Sequence, residues 1–237
     1  LDGTGYEIFA SGLRNSVDFA WQPDTNVLYA TDNGRDLLGN DFPPCELNRV
    51  EAGGFYGWPY RNGDNVADPD YGGQRPDLER VARAPAHAFQ AHNAPLGIGF
   101  ADDLTVPSEY KGAAFVALHG SWNRTEKDGY KVVSLHWNAD GTIEERDFLT
   151  GFEQDEDVIG RPADAEWGPD GALYVTDDYA GVIWRVSQGA SPETPRQRPD
   201  APGEAAHYSA AGTAASAAAS PGGMPARVGS PQEIADG

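Results

Sequence analysis

The sequence predicts an all-β chain assembled from repeated antiparallel blades, and three observations carry that prediction. The first is a repeat. Residues 18–32 read DFAWQPDTNVLYATD and residues 164–177 read DAEWGPDGALYVTD. Each places Asp first, Trp three residues on, Pro-Asp at a turn, then Leu-Tyr, an apolar residue and Thr-Asp. A unit that recurs with its turn and strand intact marks a repeat architecture. The second is apolar/polar alternation, strand-like along most of the chain and punctuated by Gly, Pro, Asn and Asp, with no long amphipathic helix. The third is a middle copy, APLGIGFADDLTVPSEYKGAAFVALHGSW, with the same order of strand, turn, strand and exposed polar cluster.

Taken in order, strands are expected at 5–10, 17–21, 27–31, 46–50, 96–100, 113–119, 131–137, 143–149, 164–167, 172–176 and 182–186. The inner strand pairs begin near residues 15, 93 and 162. That spacing exceeds the ~40–50 residues of compact blades. The excess falls in the loops 34–44 and 60–90, and loops of that length in a compact domain usually carry function. Three blades make an arc, whereas closed propellers have about four to eight. Leu1 stands where a Met would, and no signal sequence is present. Either the arc pairs with another copy or the chain is a piece of a longer protein, and the start at Leu1 favours the piece.

Composition divides the chain. All six Trp and nine of the ten Tyr lie within 1–187. Residues 188–237 are Ala, Gly, Ser and Pro with scattered charges, too poor in apolar surface to offset their ordering entropy, and are expected to be a disordered tail. The formal net charge of -20 argues against nucleic acid or an anionic membrane as partner. No apolar run approaches the ~20 residues of a membrane helix. A single cysteine, Cys45, excludes an internal disulfide and reads as a passive core or loop residue.

Polar clusters recur at equivalent points. After the inner pairs come Thr31–Asp36, His119–Arg124 and Thr176–Gly181; before them come Arg14-Asn15, His92-Asn93 and Gly160-Arg161. Equivalent loops share one face of a propeller. Arg14, Asn15, His92, His119, Trp122 and Arg161 are thus expected around one mouth, suited to a planar anion by stacking and charge-assisted hydrogen bonds. Loop carbonyls and carboxylates over 32–41 offer hard oxygens for calcium. HExxH, CxxC, GxSxG and Walker motifs are absent from the sequence.

The blocks ASGLRNSVDFAWQP, LYATDNGRDLLGNDFPPCELNRV, GGFYGWPYRNG, HNAPLGIGF, FVALHGSWNR and GRPADAEWGPDGALYVTDDYAGVIWRV, in this order, resemble the sorbosone dehydrogenase family. That family is related to the soluble glucose dehydrogenases that use pyrroloquinoline quinone (PQQ). The resemblance covers residues 1–187 and implies the C-terminal half of a six-bladed β-propeller. It implies PQQ with calcium at the mouth of the channel, and oxidation of the C1 hydroxyl or aldehyde of a sugar, with electrons passed to an external acceptor. It also implies periplasmic or secreted localisation. By resemblance, Arg14, Asn15 and Arg161 lie against PQQ, and the main-chain carbonyls of Gly34 and Arg35 hold calcium, where the related enzymes have Gly-Pro. His119 replaces a cofactor-binding Lys, His92 sits beside an active-site aromatic position, and Asp164 has a structural role. The general-base histidine of the family has no match among the five histidines and is expected in a missing N-terminal half. The alternatives are a lactonase-like calcium-dependent propeller hydrolase, which needs carboxylates and Asn on a channel metal, and a non-catalytic binding propeller.

Overall fold

The computed structural model describes residues 2–101 and 106–189. Their regular structure is built mainly on three antiparallel sheets, each a simple meander. The first sheet runs Ser16–Trp21, Leu28–Asp32, Cys45–Val50 and His87–Phe89; the second Pro95–Phe100, Ala114–Leu118, Lys131–Trp137 and Ile143–Leu149; the third Pro162–Trp167, Leu173–Asp177 and Val182–Val186. Helix is confined to one α-turn at Pro76–Glu79 and one 3-10 turn at Ser108–Tyr110 among the described residues. The expected tail over 188–237 lies outside the described residues except for its first two positions.

The written repeat becomes a repeated hairpin. Trp21 pairs with Leu28 and Trp167 with Leu173, so each Trp closes the ladder at the turn. Each inner hairpin slips register near its start, between Ser16 and Phe19, between Val116 and Leu118, and between Pro162 and Asp164. A bulge at that place twists the inner strand and re-aims its side chains.

The middle sheet is buried on both faces over its first three strands. Ala114, Val116 and Leu118 join Tyr29, Leu47 and Ile98 in the core shared with the first sheet. Phe115 and Val132 join Ala165, Leu173 and Val175 in the core shared with the third. This is why AFVAL reads as an unbroken apolar run, the pattern of a strand covered on both sides. The outer sheets alternate instead. Phe19 and Trp21 are 58% and 57% exposed on the free face of the first sheet, and Ile183 is 67% exposed on the third.

The inner strands sit side by side, Pro95–Phe100 between Ser16–Trp21 and Pro162–Trp167. Polar stitches fix the spacing. Ile98 N–H donates to Asp18 Oδ2 at 2.9 Å, and Thr31 Oγ1 donates to the Leu96 carbonyl at 2.7 Å. On the other side, a Cβ at Gly97 would overlap the Asp164 carboxylate, so only glycine admits the third sheet there. Asp164 thus has the packing role expected of it.

One strand expectation fails. Over 5–10 only Ala10 is in a strand; Ala10–Ser11 pairs in parallel with Gly54–Phe55. The alternation of Tyr6 and Ile8 has no sheet to bury it, and both are largely exposed. The structure adds the short strand His87–Phe89, which closes the first sheet.

Candidate functional site

Two arginines are mounted by one local device. The second strand of the first sheet ends at Asp32, whose carboxylate accepts the N–H groups of Arg14 at 2.9 Å and Asn15 at 2.5 Å. The matching strand of the third sheet ends at Asp177, which accepts the N–H groups of Arg161 at 2.9 Å and Ala180 at 2.8 Å, and Trp184 Nε1–H at 3.1 Å. The Thr-Asp that ends each repeat is therefore a clamp on the strand entrance. Burial pushes the Asp32 carboxyl up, against the pull of the Arg14 and Asn15 N–H groups.

The side chains repeat as well. Arg14 Nη1 donates to the carbonyls of Asn33 at 3.1 Å and Gly34 at 3.0 Å, with its guanidinium 5.6 Å from the centre of the Trp58 ring. Arg161 donates from Nε to the His119 carbonyl at 3.0 Å and from Nη2 to the Gly120 carbonyl at 2.8 Å, 5.5 Å from the Tyr130 ring. Each guanidinium thus holds two successive carbonyls of a mouth loop and stands over an aromatic ring.

A cleft of about 230 Å³ opens beside Arg14; Asn15, Gly34, Asp36, His92 and Trp122 contribute to its walls. Five of the eight expected site residues therefore meet in one place: Arg14, Asn15, Gly34, His92 and Trp122. The loop carrying Trp122 lies on the loop after Asp32: Thr125 N–H donates to Asn40 Oδ1 at 3.1 Å, and Arg124 Nη1 lies 3.3 Å from Asp41. Trp122 is 69% exposed, a flat face open to a ligand.

The other three are placed differently. His119 and Arg161 sit at the base of the Trp122 loop and outside the cleft wall; His119 Nε2 is 2.8 Å from Asp178 Oδ1. Arg35 turns its side chain away from the cleft onto Asp68, at 2.8 and 3.0 Å, and Asp70, at 2.7 Å. His92 lines the cleft, yet its Nε2 is 2.8 Å from the Gly39 carbonyl and its side chain is almost fully buried, so it anchors the 34–44 loop.

The cleft suits an anion with flat faces. Arg14 supplies charge, Asn15 amide chemistry and Trp122 a stacking surface. Asn33 Oδ1 in the same wall is buried and unpartnered, a polar atom a ligand or water would satisfy. These residues fit a quinone bearing carboxylates. For a hard cation, the Asn33 and Gly34 carbonyls and the Asp36 carboxylate are suitable in kind. Arg14 stands on both carbonyls in this structure, so a cation there requires it to move aside. Gly34 is sterically required, since a Cβ would lie 2.6 Å from the Pro44 carbonyl.

Behind Arg14 lies a void of about 20 Å³, room for a single water, walled by Asp32, Glu46, Tyr56, Trp58, Arg61 and other residues. Burial pushes Glu46 up to about 7, with Asp32 adding to the shift and hydrogen bonds from Asn48 and the Gly63 N–H opposing it. Sequence reasoning missed Glu46, Trp58 and Asp68. Trp58 and Asp68 fall in the insertion over 55–85, between the last two strands of the first sheet, where no repeat flags them; Glu46 follows Cys45 on a strand whose copy in the third repeat has no acid in that register.

Residues 77–189 match the TrAA12-like family model. This family model covers just under half of the chain. Its match takes in the last strand of the first sheet and the whole of the described second and third sheets, with His92, His119, Trp122 and Arg161. The chain is 38% identical over 184 residues to an uncharacterized protein of Borreliella burgdorferi, covering 76% of this chain and 48% of that one. It is 28% identical over 187 residues to the aldose sugar dehydrogenase YliI of Escherichia coli, covering 78% and 45%. It is 29% identical over 184 residues to a PQQ-dependent pyranose dehydrogenase of Coprinopsis cinerea, covering 68% and 24%. The chain thus spans half or less of the curated relatives it matches. A calcium structure of the Trichoderma reesei carbohydrate-active enzyme family AA12 superimposes with a TM-score of 0.62 at 23% identity, covering 76% of this chain and 53% of that one. The soluble aldose sugar dehydrogenase of Escherichia coli, in its apo form, gives 0.56 at 23%, covering 79% and 49%. At that identity the likeness establishes the fold.

Proposed function

We propose that this TrAA12-like chain supplies about half of an exported six-bladed propeller that oxidises the C1 hydroxyl or hydrated aldehyde of a sugar, of sorbosone or aldose type, with PQQ and calcium. The observation that carries it is the cleft where Arg14, Asn15 and Trp122 meet. Two further findings support it. Curated relatives are named as aldose sugar and PQQ-dependent pyranose dehydrogenases. The exposed faces bearing Phe19 and Trp21 on one side and Ile183 on the other are those further blades would cover.

When bound, PQQ supplies the two-electron acceptor for the hydride leaving the sugar carbon. Arg14 and Asn15 would hold its carboxylates, and Trp122 would offer a stacking face. Arg161 and His119 act through the loop that presents Trp122, and His92 secures the facing loop. The Gly34 and Arg35 carbonyls would hold calcium, and the Gly34 carbonyl would have to be released by Arg14, which now donates to it. The hydroxyl proton goes to a histidine outside this chain, since none of the five here occupies the family's base position.

The test is dye reduction by the full-length protein with sugar, PQQ and calcium. Activity is expected only with both additions. Sugar-dependent turnover without PQQ rejects the reading.

A further inference from the structure

Arg14 is the cation of the cleft, and a continuous stack leads away from it into the 55–85 insertion. Its guanidinium covers the Trp58 ring at 5.6 Å. Trp58 meets Tyr71 edge-on, with ring centres 6.4 Å apart and planes at 67°. Tyr71 in turn lies 5.7 Å from the Arg35 guanidinium. Arg35 is anchored on Asp68 and Asp70. The Asp68 side chain has no exposed surface, and it also accepts Asn62 Nδ2–H at 3.0 Å and the N–H groups of Asp70 at 2.9 Å and Tyr71 at 3.1 Å. Burial alone would push its carboxyl up; these hydrogen bonds outweigh that and hold it below the usual carboxylate range.

We propose that Arg35, Tyr71 and Trp58 are positioning residues for Arg14, so that the insertion sets how tightly the cleft holds its planar anion. The proposal rests on the PQQ reading only for the identity of that anion. The insertion is laced to the Arg14 entrance by its backbone: Tyr56 N–H donates to the Ser11 carbonyl at 2.9 Å and Trp58 N–H to the Gly12 carbonyl at 2.8 Å. A Cβ at Gly12 would lie 2.8 Å from the Tyr56 nitrogen, so this close approach requires glycine. Trp58 is thereby set directly beneath Arg14. Buried and multiply bonded, Asp68 is the fixed end of the stack; the cleft is the free end. Arg35 is suited to its place because a guanidinium forks onto Asp68, reaches Asp70 and still presents a face to a ring, which an ammonium does not.

The experiment compares the intact protein with Arg35→Met, Arg35→Lys and Tyr71→Leu by two readouts. One is the rate at which phenylglyoxal modifies Arg14, followed by mass spectrometry. The other is the dissociation constant for PQQ, from quenching of tryptophan emission. Tyr71 is partly exposed, so its truncation leaves the fold intact if Arg35→Met does not. Released from its stack, Arg14 is expected to react about three- to tenfold faster and PQQ to bind about three- to tenfold more weakly, in all three variants. In an Arg14→Ala background the same substitutions should leave the PQQ constant unchanged, because coupling is lost when one partner is gone. An unchanged Arg14 rate in folded Tyr71→Leu overturns the proposal, as does an equal loss of affinity with and without Arg14. A faster Arg14 reaction in a protein that never binds PQQ upholds the positioning and rejects the quinone.

Discussion

Arg14 enters the first sheet and Arg161 the third, and the chain holds both in the same way. In each case a buried Asp ending the next strand takes the arginine's N–H, the guanidinium bonds two successive loop carbonyls, and an aromatic ring lies within 5.6 Å. What they face differs. Arg14 bonds a loop of its own sheet and opens on the cleft, with 30% of its side chain exposed. Arg161 reaches back to a loop of the preceding sheet, over Tyr130, whose hydroxyl bonds the Ser121 carbonyl. One therefore lines an open cleft and the other ties two sheets together. The lesson is that a local clamp repeats with the sequence, while its use depends on which neighbour stands in front of it.

The sharpest contrast lies behind the arginines. The void behind Arg14 contains Glu46, whose carboxyl burial raises from 4.5 to about 7. Between those two values the folded chain holds a proton that the unfolded chain has lost. Stability is therefore undiminished by this group below about pH 4.5, falls as pH rises through the window, and stays lowered above about pH 7. The full effect is at most about 3 kcal/mol. Unfolding by denaturant in chelating buffer should show this slope, and Glu46→Gln should flatten it; an unchanged slope would remove the acidic void from the comparison.

Next in size is Arg14→Ala. Loss of charge-assisted hydrogen bonds worth about 1.5–3 kcal/mol should weaken PQQ binding roughly 10- to 100-fold. The melting temperature should fall little, since the side chain is partly in water. The reverse is expected for Arg161→Ala: a stability loss of about 1–2 kcal/mol as the His119 and Gly120 carbonyls lose their partner, and a change in PQQ affinity of about threefold or less. Equal effects of the two substitutions on PQQ would break the distinction and place Arg161 on the ligand itself. The smallest change is expected from Asp178→Asn. Asp178 is 63% exposed, so its hydrogen bond with His119 is worth under about 1 kcal/mol, and binding and melting should both stay near the parent values.

Much of this was legible before folding. The duplicated run from Asp18 and Asp164 marked both hairpins and their turns, because alternation and turn chemistry act over a few residues. The strand at AFVAL was expected, whereas its cover on both faces emerged only from the structure. The run 5–10 misled, since alternation shows that a strand is possible without showing that a partner exists. The stack from Arg14 to Arg35 was invisible, because it joins residues scattered between positions 14 and 71 through a segment that repeats nothing.

By itself, then, the sequence determined most strands of the three sheets, their turns, the order of the sheets and the polar residues at each strand entrance. Only the tertiary structure decided that Arg14 opens on a cleft, that Arg161 braces a neighbouring loop, and that Arg35 turns back onto a buried acid. The physical reason is range: backbone pairing in a meander is settled between neighbours in the chain, whereas the direction of a long side chain depends on carbonyls, rings and carboxylates that distant loops bring within a few ångströms.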